Sequence, residues 1–258
     1  MPVALIGDVH ANLPALQAVL KHARDQGAEA IWNIGDFVGY GPFPNQVVKR
    51  LRKEGAQSVI GNYDQKVLEI KSKKRKWMKK RDPLKIFAFR WAYKTLSKKN
   101  RKYLRSLPEE LRFEWEGRQV LLTHASPASR DEPLDANTPE ARFRELAQMA
   151  NADLVICGHS HRPFIRHVDG VWFINTGSVG RPDDGDPRAT YAVLRSSSGQ
   201  IKVEHYRVDY DVSRSIMAIR EKHLPEQFAQ MLRRGISLDD LMAIDSKYAT
   251  KSTDEGKG

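Results

Sequence analysis

Short hydrophobic runs recur along the chain, and several end abruptly in polar chemistry. VALIG (3–7), AIWNIG (30–35) and SVIG (58–61) are apolar and brief, and read as buried strands. Between them the period becomes helical. Leu16, Val19, Leu20 and Ala23 fall on one face, behind Asn12 as N-cap and Pro14 in the first turn, and Gly27 closes the segment. NQVVKRLRKEG (45–55) reads as a second helix, again ended by glycine. Alternating strands and helices imply a parallel sheet with right-handed crossovers.

After residue 64 the pattern breaks into a basic segment. Residues 84–95 and 98–107 then read as two helices that stop at Pro108. LRFEWEG and RQVLLTH form an expected hairpin turning at Glu116-Gly117, followed by a helix over 139–150 and a buried strand, DLVICG (153–158). PFIRHV, GVWFINTG, ATYAVLRS and QIKVEHYRV read as strands joined by tight turns, so the second half is richer in antiparallel pairing. Helices are expected over 212–222 and 225–234. The tail from about Lys247, KYATKSTDEGKG, is polar and expected to be disordered.

The 258 residues suit one large α/β domain, 1–235, with a separate C-terminal segment, 236–258. Hydrophobic and charged contents of 40% and 29% describe a soluble globular chain. No apolar run approaches the roughly 20 residues that span a bilayer, and MPVALIGDVH lacks the features of a signal peptide. The single cysteine, Cys157, permits no intrachain disulfide and reads as inert core; a reducing cytoplasm is the expected location.

Charge changes this picture locally. The net +11 is concentrated in residues 71–105, which hold 16 Lys or Arg and one acid, Asp82, leaving the remainder at −4. Trp77, Phe87, Phe89, Trp91, Tyr93 and Tyr103 are interleaved with these cations. The segment could hold nucleic acid or another polyanion through phosphate neutralisation and stacking. Alternatively it is a solvated helical cap whose aromatics pack inward. The spacing of Leu84, Phe87 and Trp91 favours core packing for those three.

Candidate chemistry collects where strands end. Asp8 and His10 follow the first strand, Asp36 the second and Asn62 the third. His124 follows VLLT, and His159 and His161 follow DLVIC. Ligands bind beyond the carboxyl ends of strands in open α/β sheets. A lone strand-end histidine is usually an ordinary polar residue, but five strand ends together deliver carboxylates, an amide oxygen and imidazoles to one edge. That set suits a divalent metal, and seven ligands fit two ions sharing a carboxylate.

DVH (8–10), GD (35–36), GNYD (61–64), TH (123–124) and GHSH (158–161) resemble the calcineurin-like metallophosphoesterases. YGPFPNQVV (40–48) and NTGSVGRPDDGDPRATYAVL (175–194) are similar to stretches of a small prokaryotic phosphodiesterase branch related to diadenosine tetraphosphatase. The resemblance implies a four-layer α/β/β/α sandwich of two mixed sheets, with residues of about 66–107 as a small helical cap. It implies one ion held by Asp8, His10 and His161, another by Asn62, His124 and His159, and Asp36 as the bridge. Manganese is the expected metal, with iron, nickel, zinc or magnesium as alternatives. A metal-bound hydroxide would attack a phosphodiester or phosphoanhydride in line. The alternatives are a nuclease using the basic segment and a non-catalytic scaffold, though all seven ligands are present.

Tyr63 departs from the resemblance. Many relatives place histidine there to protonate the leaving group, oriented by the next acid, here Asp64. A phenol keeps its proton near neutrality and cannot cycle as imidazole does. Tyr63 could be a weak acid or hydrogen-bond donor, shape the pocket, or merely pack. Asn12 reads first as a helix cap and second as a phosphate contact. Arg181 and Arg188 read as partners of Asp183, Asp184 or Asp186, with Arg181 also a candidate phosphate ligand. His22, His167, His205 and His223 read as structural or exposed.

Overall fold

The computed structural model describes the backbone of residues 1–254 and side chains through residue 246. In chain order the first elements are β1 (Val3–Ile6), α1 (Leu13–Asp25), β2 (Ala30–Asn33), α2 (Pro44–Lys53), β3 (Gln57–Ser58), α3 (Asn62–Met78), α4 (Pro83–Thr95) and α5 (Lys98–Ser106). There follow β4 (Glu110–Trp115), β5 (Arg118–Thr123), α6 (Glu140–Ala150), β6 (Leu154–Cys157), β7 (Phe164–Val168) and β8 (Val171–Asn175). The last are β9 (Ala189–Ser197), β10 (Gln200–Val208), α7 (Val212–Glu221), α8 (Glu226–Arg234) and α9 (Leu238–Asp254).

Two five-stranded sheets have the orders β10-β9-β1-β2-β3 and β4-β5-β6-β8-β7. Both are mixed. β1, β2 and β3 run parallel, as do β5, β6 and β8, and antiparallel strands flank each set. Alternation along the strands builds the layers. Val3 and Leu5 point into the core between the sheets with Leu122, Leu154, Ile156 and Ile174. Ala4 and Ile6 point the other way, toward Leu16, Val19 and Leu20 of α1. Across the sandwich, Val155 and Cys157 meet Phe143 and Leu146 of α6. The result is the expected α/β/β/α sandwich. The β4–β5 turn has positive φ at Glu116 (50°) and Gly117 (73°), a backbone that matches the twist of a tight hairpin.

The structure corrects several expectations. The third strand is only two residues long, because the chain leaves the sheet to start α3 at Asn62. Ile60 N–H is satisfied instead by Pro108 O at 2.8 Å. The cap therefore begins earlier than 66. α3 escaped the periodicity reading because Val67, Ile70 and Trp77 are its only buried apolar side chains, set among lysines. In α4 the buried face is Ile86, Phe89 and Ala92, and Phe87 is 39% exposed rather than core. Leu84 and Trp91 do pack, against the cluster of Phe228 and Leu232.

That cluster also contains Leu238 and Leu241, so no break in packing occurs near residue 235. The tail expected to be disordered from Lys247 is helical as far as Asp254; residues 255–258 lie outside the described residues. No helix among the described residues is long and apolar enough to cross a membrane.

Candidate metal centre

Five strand ends deliver the expected residues to one edge of the sandwich, and they do so on unusual backbone. Asp8, His10, Ala11, Asp36, His159 and His161 all have φ between 45° and 68°. Non-glycine residues rarely adopt this left-handed conformation, and each instance costs on the order of 1 kcal/mol or more unless its surroundings enforce it. Here the loops are laced together. Asp8 N–H donates to Gly35 O (3.1 Å), His10 N–H to Asp36 O (2.9 Å) and Gly158 N–H to His124 O (3.0 Å). Close approach also requires glycine: a Cβ on Gly61 would lie 2.1 Å from Asp36 Oδ1.

The side chains form two groups. Asp8, His10 and His161 bring one donor atom each within 4.8 Å of one another, and all are buried. His10 Nε2 lies 3.2 Å from His161 Nε2, and Asp8 Oδ1 lies 3.4 Å from His161 Nε2. Asp8, Asp36 and His124 form a second group on the same criterion. Asp36 Oδ2 is 3.7 Å from both His10 Nε2 and His124 Nε2, so it stands between the two histidines. His159 belongs to neither group. It is half-buried, with its ring centroid 5.1 Å from that of His124, and it lines the cleft outside.

Hydrogen bonds aim these groups. His124 Nδ1 donates to Ile34 O at 2.8 Å, which leaves the Nε2 lone pair facing inward. Asp8 Oδ2 accepts His159 N–H at 2.9 Å, leaving Oδ1 free. Asn62 Nδ2 donates to Asp131 Oδ1 at 2.7 Å, leaving its Oδ1 free. Asp8 Oδ1, Asn62 Oδ1 and His124 Nε2 are buried with no hydrogen-bond partner among the described residues. Native interiors rarely leave such atoms unpaired, and a cation would satisfy all three.

The electrostatics agree. Burial alone would raise Asp8, but His161 beside it holds its carboxyl well below the usual carboxylate range. Burial, followed by the Asp8 charge, pushes Asp36 up to about 8. Burial keeps His10 well below its ordinary value, reinforced by the Arg181 cation. Burial and His124 hold His159 down to about 3. Without a cation the two carboxylates do not both ionise at neutral pH, and His10 and His159 stay neutral with lone pairs available.

Comparison with known proteins places this geometry. The profile of the calcineurin-like phosphoesterase superfamily domain matches residues 1–199. The chain belongs to the calcineurin-like phosphoesterase superfamily. It is therefore a metal-dependent phosphoesterase in class. It is 32% identical over 250 residues to an uncharacterized protein of Methanocaldococcus jannaschii, covering 90% of this chain and 98% of the relative. A metallophosphoesterase structure from Sphaerobacter thermophilus is 31% identical, with a TM-score of 0.76 over 92% of this chain and all of the other. A hypothetical protein from Pyrococcus horikoshii shares the fold, with 22% identity and a TM-score of 0.81 over 91% and 98% of the two chains.

Around this phosphoesterase centre lies a cleft of about 380 Å³, lined by Tyr40, Tyr63, His159, Arg181 and, from the opposite wall, Lys85 and residues 237–240. Tyr63 O–H pairs with Tyr40 O–H at 2.8 Å, and its ring stands edge-on to His10 at 5.2 Å. Tyr63 N–H donates to Asp36 Oδ1 at 2.8 Å. Arg181 lies over the Tyr40 ring at 5.1 Å, only 4.0 Å from Asp183, with its Nε buried and unpartnered. It faces the cleft rather than closing a tight ion pair. Arg188 does pair as expected, with Asp186 at 2.7 Å.

One site expectation changes, and that for Asn12 resolves in favour of its first reading. Asp64 does not reach the cleft. It is fully buried, and its oxygens accept N–H groups of Phe37, Val38 and Gly61 at 3.1–3.3 Å, so it fixes the loop carrying Asp36. Asn12 is the N-cap of α1, the first of its two expected roles. Its Oδ1 takes Ala15 N–H and Ser215 O–H, and its Nδ2 donates to Gly180 O and Tyr210. Cys157 is buried, as expected. His22 bonds Tyr191, His205 bonds Asn175 O, His167 stacks on Trp172 and His223 is exposed, all structural or surface roles. Sequence reasoning missed Asp131, Tyr40 and the α9 wall. An acid in the loop shortly after His124 was the one available hint.

Proposed function

We propose that this phosphoesterase is a dinuclear hydrolase of phosphodiesters or phosphoanhydrides. The observation that carries the reading is the buried group of Asp8, Asp36 and His124, with donor atoms within 4.8 Å of one another, in which Asp8 Oδ1 and His124 Nε2, like Asn62 Oδ1, have no hydrogen-bond partner among the described residues. Asp8, His10 and His161 would hold one ion and Asn62, His124 and His159 the other, with Asp36 bridging. When bound, the pair of ions supplies an activated water and neutralises phosphate charge.

The protein's own groups do the rest. Arg181, positioned over Tyr40, offers N–H donors to a phosphate oxygen entering the cleft. Tyr63, with its hydroxyl shared with Tyr40, donates a hydrogen bond but cannot deliver a proton to a strongly basic leaving group near neutral pH. Asp64 keeps the Asp36 loop in place. The enzyme is therefore expected to favour aryl or pyrophosphate-like leaving groups over simple alkyl ones, and equal turnover of alkyl and aryl diesters would contradict this.

The direct test is hydrolysis of bis(p-nitrophenyl) phosphate by metal-stripped protein reloaded with Mn²⁺. Activity should require metal and fall by about 10³-fold or more in Asp36→Asn. Metal-independent activity, or full activity in that variant, would refute the proposal.

A further inference from the structure

α3 joins two chemically opposite places. Its first residue, Asn62, is in the metal centre; its far end, about 24 Å away along the axis, lies among the cations of the cap. Thirteen Lys and Arg side chains of residues 71–105 are exposed. Only one of them, Lys73, makes an ion pair among the described residues, with Glu69. The lone acid of the segment, Asp82, is spent on capping α4 through the N–H groups of Leu84 and Lys85. The three helices present these cations in outward rows. Lys76 is in the last turn of α3 and Lys80 in the turn just after it, Arg90 and Lys94 are one turn apart on α4, and Lys98 and Lys102 one turn apart on α5.

The aromatic side chains point the other way. Trp77 and Phe89 are buried, Tyr93 and Tyr103 are half-buried beneath Arg101 and Arg52, and Phe87 alone is substantially exposed. A surface rich in unpaired cations but without an aromatic platform neutralises phosphates without stacking bases. It also lacks the outward apolar face with which an amphipathic helix enters a lipid interface.

We propose that the cap of α3, α4 and α5 is a docking surface for double-helical nucleic acid, held through its phosphate backbone without reading sequence. The surface is separate from the metal centre and works whatever that centre hydrolyses.

The test is binding of a labelled 24-base-pair mixed-sequence DNA duplex by the full, metal-free chain in chelator, over a salt series. The affinity should fall by about 10²–10³-fold between 50 and 200 mM salt, as about five phosphate contacts require. The variant Lys76→Gln/Lys80→Gln/Arg90→Gln/Lys94→Gln should reduce the slope by about three to four. A control with the same charge loss elsewhere, Arg144→Gln/Lys202→Gln/Arg214→Gln/Lys222→Gln, should bind nearly as the parent does. Thermal melting confirms that both variants are folded. Four outcomes would overturn the inference: no salt-sensitive binding, equal loss in both variants, a single strand binding about tenfold tighter than the duplex, or binding to phosphatidylserine vesicles without binding to the duplex. Hydrolysis of bis(p-nitrophenyl) phosphate by the cap variant should be unchanged, so this result is read apart from the metal chemistry.

Discussion

The two halves of the proposed metal centre, which would share Asp36, are built differently. Asp8, His10 and His161 are at most 2% exposed, on the loops after β1 and β6, the first tied to the loop after β2 through Gly35 O and Asp36 O and the second to His124 O. Asn62, His124 and His159 are a looser set. Asn62 opens a helix and depends for its orientation on Asp131, whose side chain is 68% exposed, while His159 borders the cleft. The first half is a product of the sandwich. The second is assembled from a helix end, a surface loop and the cleft rim; Asn62 and His124 are themselves buried, and His159 alone of the three lines the cleft.

This contrast can be broken or sharpened by experiment. Gly61→Ala should act on both halves at once, since the new Cβ would displace the Asp36 carboxylate. Hydrolysis should fall by about 10²-fold, as angstrom-scale misplacement commonly causes, with metal content per chain lowered from two equivalents; retention of two tight equivalents would deny the bridging role. Asp131→Asn should act on one half only. One metal equivalent should weaken by about 10–100-fold in equilibrium titration while the other keeps its affinity. Equal weakening of both would erase the distinction between the halves.

Proton release sharpens the role of Asp36. Its folded, metal-free pKa is raised to about 8, so at pH 7 it carries a proton that an arriving cation must expel. Metal affinity should climb about tenfold per pH unit up to about pH 8 and then level, and calorimetry at pH 7 in buffers of different ionisation enthalpy should report about one proton released per bridged pair. Asp36→Asn should abolish that release. The smallest effect is expected at Tyr63. Tyr63→Phe should reduce aryl diester turnover by less than about tenfold, the loss of one hydrogen bond. Tyr63→His should instead narrow the gap between alkyl and aryl substrates.

Much of the compact half was legible in the sequence, because each ligand directly follows an apolar run whose end fixes its place. Asp8, His10, Asp36 and His161 could be found in this way. Asn62, His124 and His159 also follow strands and were legible in the same way, but what supports them was not. Asp131 is 69 positions from Asn62, and nothing in local periodicity joins them. α3 was hidden by lysines that weaken its apolar stripe. Residues 237–240 reach the cleft only because Leu238 and Leu241 dock against Phe228, a tertiary fact without a local signal. Asp64 lies beside the site but serves backbone groups, and Asn12 serves backbone groups together with Ser215 and Tyr210, since the competition between ligand and protein for one side chain is settled only in three dimensions.

Left-handed residues at Asp8, His10, Asp36, His159 and His161 carry a lesson for transplantation. Copying these side chains onto another scaffold at matching distances would not reproduce the centre, because ordinary loops do not offer those residues that backbone. A graft would need to carry the tripeptide-scale turns and their interlocking amide contacts as a single block. For the same reason, a one-residue insertion in any of these loops should be tolerated far less than a change of side chain, and drift in this lineage is expected to accumulate in the cap and outer helices before it touches the rim.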